Sequence, residues 1–139
     1  MSFADSYELD EDRGRLDSDV IWDFLSHEAY WGRWRSRSDV ELQIETAWRV
    51  VGAFHRGETV GFARAVSDGV AIAYLADVFV LPDHRGRGLG RRLVSAMVEG
   101  PGASGLRWLL HTEDAHPLYE SFGFRPPDKT FLERPRSGS

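Results

Sequence analysis

The sequence predicts a mixed-sheet α/β fold, of the α+β kind, with elements in the order β-α-α-β-β-β-α-β-α-β-β. Three observations lead there. Two amphipathic helical stretches follow a short first strand. A β-hairpin and a long apolar strand come next. That strand runs through a glycine-rich turn into a third helix and a further strand, which makes a parallel crossover within an otherwise antiparallel sheet. At 139 residues, 42% of them hydrophobic, the chain has the size and apolar content of one compact domain, 1–139, with loosely held ends near 1–5 and 134–139.

Each element has a local cause. "SYELDE" suits a short first strand. In "LDSDVIWDFLSHEA", Val20, Ile21, Phe24 and Leu25 share a helical face, with Asp17 or Ser18 as N-cap. In "SDVELQIETAW", Ser38 and Glu41 have capping-box spacing, and Val40, Ile44, Ala47 and Trp48 form a stripe. "RVVGAFH" and "TVGFARAVS", joined by "RGE", read as a hairpin. A strand from Val70 to Leu81 is ended by Pro82. Leu89, Leu93, Val94, Met97 and Val98 share one face of the next helix, which "GPG" at 100–102 stops. "LRWLLHT" reads as a buried strand. "DAHPLYESFGF" carries Ala115, Leu118, Tyr119 and Phe122 at helical spacing, tolerates Pro117 in its first turn, and places Gly123 at its C-terminus. A last hairpin is expected around "FRPPDKTFLER".

Composition excludes several classes of function. A formal charge of −5 argues against nucleic-acid binding. The absence of cysteine removes disulfides, thiol nucleophiles and thiolate metal sites, and histidine spacing gives no metal set. The acidic start lacks a leader's apolar segment, and no apolar stretch approaches the ~20 residues of a membrane span. A soluble cytoplasmic protein is expected, as monomer or homodimer, with neither a membrane nor a nucleic-acid partner. Lys129 is the only lysine; arginines gather at 33, 35 and 37 and at 85, 87, 91 and 92.

The second arginine group surrounds "RGRGLG", residues 85–90. A strand, a glycine turn and a helix form a general phosphate seat: glycine lets amides converge on an anion, and the helix start adds unpaired donors. A plain strand-to-helix turn fits the three glycines equally well. A Walker loop would need Gly-Lys-Ser/Thr, and a dinucleotide fingerprint would need glycine where Arg91 stands.

Arg85, Gly88 and Gly90 have instead the R-x-x-G-x-G spacing of the Gcn5-related N-acetyltransferases (GNAT), and "VFVLPDHRGRGLGRRLV" resembles that family's acetyl-CoA motif. A second segment, with Ala115, Tyr119, Gly123 and Phe124, resembles its later A-x-x-x-Y-x-x-x-G-F pattern. The resemblance implies the GNAT fold and the use of acetyl-CoA without a metal. It implies that Arg85, Gly86, Arg87, Gly88, Leu89, Gly90 and Arg91 wrap the coenzyme's pyrophosphate. The backbone of Phe79 and Val80 would hold the pantetheine arm between two splayed parallel strands. Many relatives carry asparagine where this chain has Thr112, which offers a hydroxyl to the arm in place of an amide.

The implied reaction is direct acetyl transfer to a primary amine of a small molecule or amino acid. The amine must lose a proton, the oxyanion needs donors such as the Phe79 or Val80 amides, and the leaving thiolate needs an acid. Tyr119 matches the family's tyrosine and is the expected acid, its phenol being protonated at pH 7. Asp77, a carboxylate in an apolar strand, is the candidate base, with a water relay as the alternative. Trp22, Tyr30, Trp31 and Trp34 are candidates for an aromatic acceptor wall. A protein or peptide amine acceptor, and a non-catalytic acyl-CoA-binding regulatory module, are the alternative functions.

Overall fold

The computed structural model describes residues 6–28 and 34–137. One five-stranded sheet runs β1 (Tyr7–Asp10), β2 (Arg49–His55), β3 (Glu58–Ser67), β4 (Ile72–Val80) and β5 (Arg107–Leu109), in that spatial order. The first four strands are antiparallel, and β5 lies parallel to β4. Four helices accompany them: α1 (Ser18–His27), α2 (Arg37–Thr46), α3 (Leu89–Val98) and α4 (His116–Glu120).

Strand alternation divides the interior in two. On one face Val51, Ala53, Ala63, Ala65 and Leu75 pack under α3, through Leu89, Leu93, Val94, Met97 and Val98. On the other, Val50, Phe62 and Phe79 pack under α1 and α2, through Ile21, Phe24, Leu25, Val40 and Ile44. The stripes read from the sequence for α1 and α3 are thus the buried ones, with Val20 only half-buried, while Trp48, Ala115, Leu118 and Phe122 of the other two stripes are half-buried as well. Asp17 is the α1 N-cap, its side chain accepting from the Asp19 amide.

The second helix starts earlier than expected. Ser36, not Ser38, is the cap, and Asp39, not Glu41, closes the box by accepting from the Ser36 amide at 2.9 Å. The earlier start lets Arg37 pair with Asp19 on α1. The helix ends at Thr46; Ala47 caps it, and the Trp48 amide already donates to Ala65 of the sheet. The strand read as Val70–Leu81 is shorter, Ile72–Val80. "LRWLLHT" pairs only over Arg107–Leu109 and is not fully buried. The closing hairpin does not form. Pro126 and Pro127 lack the donors a ladder needs, residues 125–137 are exposed, and Asp128 organises a local turn by accepting from the Thr130 amide.

One irregularity positions the site. Phe62 faces Phe79 and Arg64 faces Ala76, so Asp77 and Val78 oppose the single residue Ala63. This β-bulge sits at Asp77, whose φ of 56° is left-handed. It reverses the alternation. Before it, Leu75 belongs to the α3 side; after it, Val78 and Val80 do, while Phe79 stacks on Phe24 with ring centroids 4.1 Å apart.

Candidate active site

Residues 85–91 leave β4 through a short 3-10 turn and enter α3. Gly86 and Gly88 hold left-handed φ of 79° and 78°, and a side chain at Gly86, Gly88 or Gly90 would meet open space. Gly88 is the α3 N-cap and provides no side chain to satisfy the first-turn amides. The amides of Gly86, Gly88, Leu89 and Gly90 have no acceptor among the described residues. The loop arginines are differently employed. Arg85 donates from Nε to the Val80 carbonyl at 2.9 Å, Arg91 donates to Ser121 Oγ at 3.0 Å, and the Arg87 Cζ stands 6.0 Å from the Tyr7 ring centroid. Convergent amides, space beside the glycines and nearby cations suit a phosphate.

Beyond the loop, β4 and β5 separate. Their pairing stops at Tyr74–Leu109, while β4 continues to Val80. The ladder to β3 fixes which β4 amides are available on the open side. Leu81 donates to Val60, so the alternate pair Phe62–Phe79 is also hydrogen-bonded. The Phe79 N–H therefore turns toward β3, and of the two amides expected to hold the arm only that of Val80 faces the gap.

A pocket of about 300 Å³ opens where the strands part. Its wall joins both faces of the sheet: Tyr119 and Ala115 come from the α3 side, Arg35, Arg64 and Asp77 from the α2 side. Tyr119 is buried in its helix and meets Phe124 edge-on. That helix ends at Glu120 with Ser121 as its cap, and the expected cap Gly123, at φ 89°, lies in the turn beyond, its amide donating to Glu120 and the Phe124 amide to Tyr119. Thr112 lines the same pocket, its hydroxyl accepting from the Ala115 amide at 3.1 Å and so helping to start α4.

Asp77 has a different environment from the one a base requires. Arg35 donates to both its oxygens, at 2.7 and 2.9 Å, and Arg64 Nε donates to Oδ2 at 2.6 Å. Burial pushes the carboxyl's pKa up, but the hydrogen bond from Arg35 and the charges of Arg64 and Arg35 outweigh it and hold the group below the usual carboxylate range. A carboxylate so held is a weak proton acceptor. Asp77 is held by Arg35 and Arg64 at the bulge, a setting that disfavours the role of base expected for it.

The aromatic candidates separate. Trp34 lines the pocket and lies under Arg136, whose Cζ is 3.7 Å from the ring centroid. Trp22 packs at the edge of the α1–α2 core and is not part of the pocket wall. Tyr30 and Trp31 lie outside the described residues. Sequence reasoning missed Arg64 and Tyr74 as pocket residues, and it had Arg35 only as one of an arginine run that could read an acidic acceptor. Tyr74 shares a hydrogen bond with His111 Nδ1, and His111 Nε2 meets Glu133 at 2.6 Å. Burial, aided by the charge of Glu133, raises the Tyr74 pKa and keeps its phenol protonated. His84, at the loop edge, is hydrogen-bonded to Tyr7 at 2.8 Å. Among the described residues no group of three or more potential metal ligands occurs, and no helix is long and apolar enough to cross a membrane.

Comparison with known proteins adds an independent line. Residues 46–126 match the family described as the acetyltransferase (GNAT) domain. A Gibberella zeae protein, provisionally named an acetyltransferase, is 34% identical over 123 residues, covering 81% of this chain and 64% of its own length. The chain therefore spans just under two thirds of that curated relative. A crystal structure from Xanthomonas campestris pv. campestris, provisionally described as a GNAT-family acetyltransferase, superposes with a TM-score of 0.89 at 38% identity, covering 95% of this chain and 94% of that one. The glucosamine-6-phosphate N-acetyltransferase of Arabidopsis thaliana shares the fold, with a TM-score of 0.68 at 12% identity over 96% of this chain and 99% of that one.

Proposed function

The chain belongs to the GNAT acetyltransferase family, and from that premise we propose that it transfers the acetyl group of acetyl-CoA to the primary amine of a small molecule. The observation that carries the reading is the pocket through the gap between β4 and β5, with Tyr119 on one side and a charged wall on the other. Its volume, about 300 Å³, is at the small end of ligand sites and favours a compact acceptor over a protein surface.

The loop residues fit the cosubstrate. The amides of Gly86, Gly88, Leu89 and Gly90 would receive the pyrophosphate, with Arg85 and Arg87 as counter-charges and the Val80 amide beside the pantetheine arm. Bound there, acetyl-CoA supplies an activated acyl thioester. The protein's own residues do the rest. Tyr119 holds a proton at Oη for the leaving sulfur. Its burial against Phe124 fixes the ring and excludes water around it. Thr112 offers a hydroxyl on the same wall. The acceptor amine enters from the side of Arg64 and Trp34 and passes its proton to solvent or to a wall group other than Asp77.

Coenzyme A release measured against a panel of amines tests the proposal. Tyr119→Phe should lower kcat by about 10²-fold or more with acetyl-CoA affinity preserved. Acetyl-CoA at 100 times its Kd should stabilise the fold by about 2.7 kcal/mol. No thermal shift with acetyl-CoA, or full turnover by the phenylalanine variant, would overturn it.

A further inference from the structure

Arg64 is an arginine with work left over. It is 9% exposed, and Nε is the one nitrogen with a partner among the described residues, Asp77. Its two terminal nitrogens carry four N–H donors. They are not sealed inside, because His55 Nε2 is the sole sealed side-chain polar atom without a partner among the described residues, and Arg64 forms part of the pocket wall. A nearly buried guanidinium therefore presents its fork to the pocket while Asp77 holds its other edge.

The charges around it point to an anion. Two guanidiniums, Arg35 and Arg64, share the single carboxylate of Asp77. Arg35 spends its donors on that carboxylate and on Gln43, at 2.6 Å. The other acidic residue on the wall is Asp114, an exposed group next to Thr112 on the α4 side. On the α2 side of the pocket, two guanidiniums thus stand beside the one wall carboxylate in a partly desolvated setting, where an anion gains most.

Building on the acetyltransferase reading, we propose that Arg64 binds a carboxylate of the acceptor, which is a small amine that also carries that carboxylate, as an amino acid does. The terminal nitrogens of one guanidinium match the two oxygens of a planar carboxylate. The pocket's size suits a molecule of amino-acid dimensions. The restrained position of Arg64 also means that little side-chain freedom is lost on binding, since Asp77 has already ordered it.

The test compares substrates that differ only at the carboxylate. Free amino acids and their carboxamides are offered to the wild-type protein with acetyl-CoA, and kcat/KM is measured by coenzyme A release. The acids should be favoured by about 10- to 100-fold, the range of a hydrogen-bonded charged group. Arg64→Lys, which keeps the charge but loses the fork, should collapse that ratio while the acetyl-CoA thermal shift persists. Equal rates for acid and amide, a ratio unchanged in Arg64→Lys, or a stronger preference for phosphoethanolamine would each overturn the proposal. Should Arg64→Lys fail to fold, the wild-type comparison of acid with amide decides alone. Should no amine be acetylated, calorimetric binding of the acids against the amides separates the two claims: selective binding of the acids keeps this site and removes the activity, and no selectivity removes the site.

Discussion

The glycine loop and the Asp77 cluster meet ligands on opposite terms. Residues 85–91 present backbone amides on an exposed turn, and three of the loop's residues are glycines beside which a side chain would meet only open space. Arg35, Arg64 and Asp77 present side-chain charge from inside the fold, with Asp77 accepting from both arginines and Arg35 donating also to Gln43. The loop depends on missing side chains, and in the proposed reaction it would read a group common to every coenzyme A ester. The cluster depends on three particular side chains, and changing one removes a buried charge-assisted hydrogen bond from another. On the proposed function, the general part of the reaction would rest on local backbone geometry and discrimination on an assembly of distant residues.

The comparison breaks first at Asp77. Asp77→Ala leaves two guanidiniums without their counter-ion and should cost about 3–5 kcal/mol of stability in denaturant unfolding. A loss under 1 kcal/mol would mean that the cluster does not hold the fold. The same carboxylate sets an acid limit. Because its folded pKa is lowered, its contribution is complete above the unfolded value of about 3.9 and disappears as the pH falls through the folded value. Unfolding free energies should therefore show no Asp77-dependent change between pH 5 and 8, and a decline below pH 4 that Asp77→Asn lacks.

The loop should respond in the other direction, through binding more than stability. Gly88→Val forces a β-branched residue into a left-handed conformation at a cost of about 1–3 kcal/mol. Gly90→Ala is the sharper probe, because Gly90 is helical with room beside it. It should stabilise the protein by up to about 1 kcal/mol while weakening acetyl-CoA binding, as isothermal titration would show. Tight binding by both variants would mean that the space beside the glycines is not needed. Arg85→Gln should have the smallest effect, within about 0.5 kcal/mol in stability, with a several-fold rise in the acetyl-CoA Kd and weaker dependence on salt.

The same contrast explains what the sequence revealed. The loop was legible because its determinants are adjacent: glycines at fixed spacing, a strand before and an amphipathic helix after. The buried faces of α1 and α3 were legible for the same reason. The cluster was not, since Arg35 and Asp77 are 42 residues apart and Arg64 and Asp77 are 13 apart. Arg35 stood within an arginine run that gave no sign of which member is buried. Asp77 stood out as a charge in an apolar strand, but the sequence did not show that two arginines hold it. The α2 cap was misplaced by two residues because Ser36 and Ser38 both offer the same spacing to an acid, Asp39 or Glu41. The last hairpin does not form because two consecutive prolines, Pro126 and Pro127, deny the pairing.

The bulge at Asp77 makes β4 a strand with two independent phases. Residues 72–76 set which groups reach the pocket from one face, and residues 78–80 set the wall beside α3, with the extra residue absorbing the offset between them. Substitutions on one segment can therefore alter one wall without shifting the other. Deleting one residue at the bulge would join the phases and turn Phe79 out of its stack on Phe24. Insertion and deletion are forbidden there for a reason that no single side chain reveals, while exchange of side chains on either segment stays open to selection.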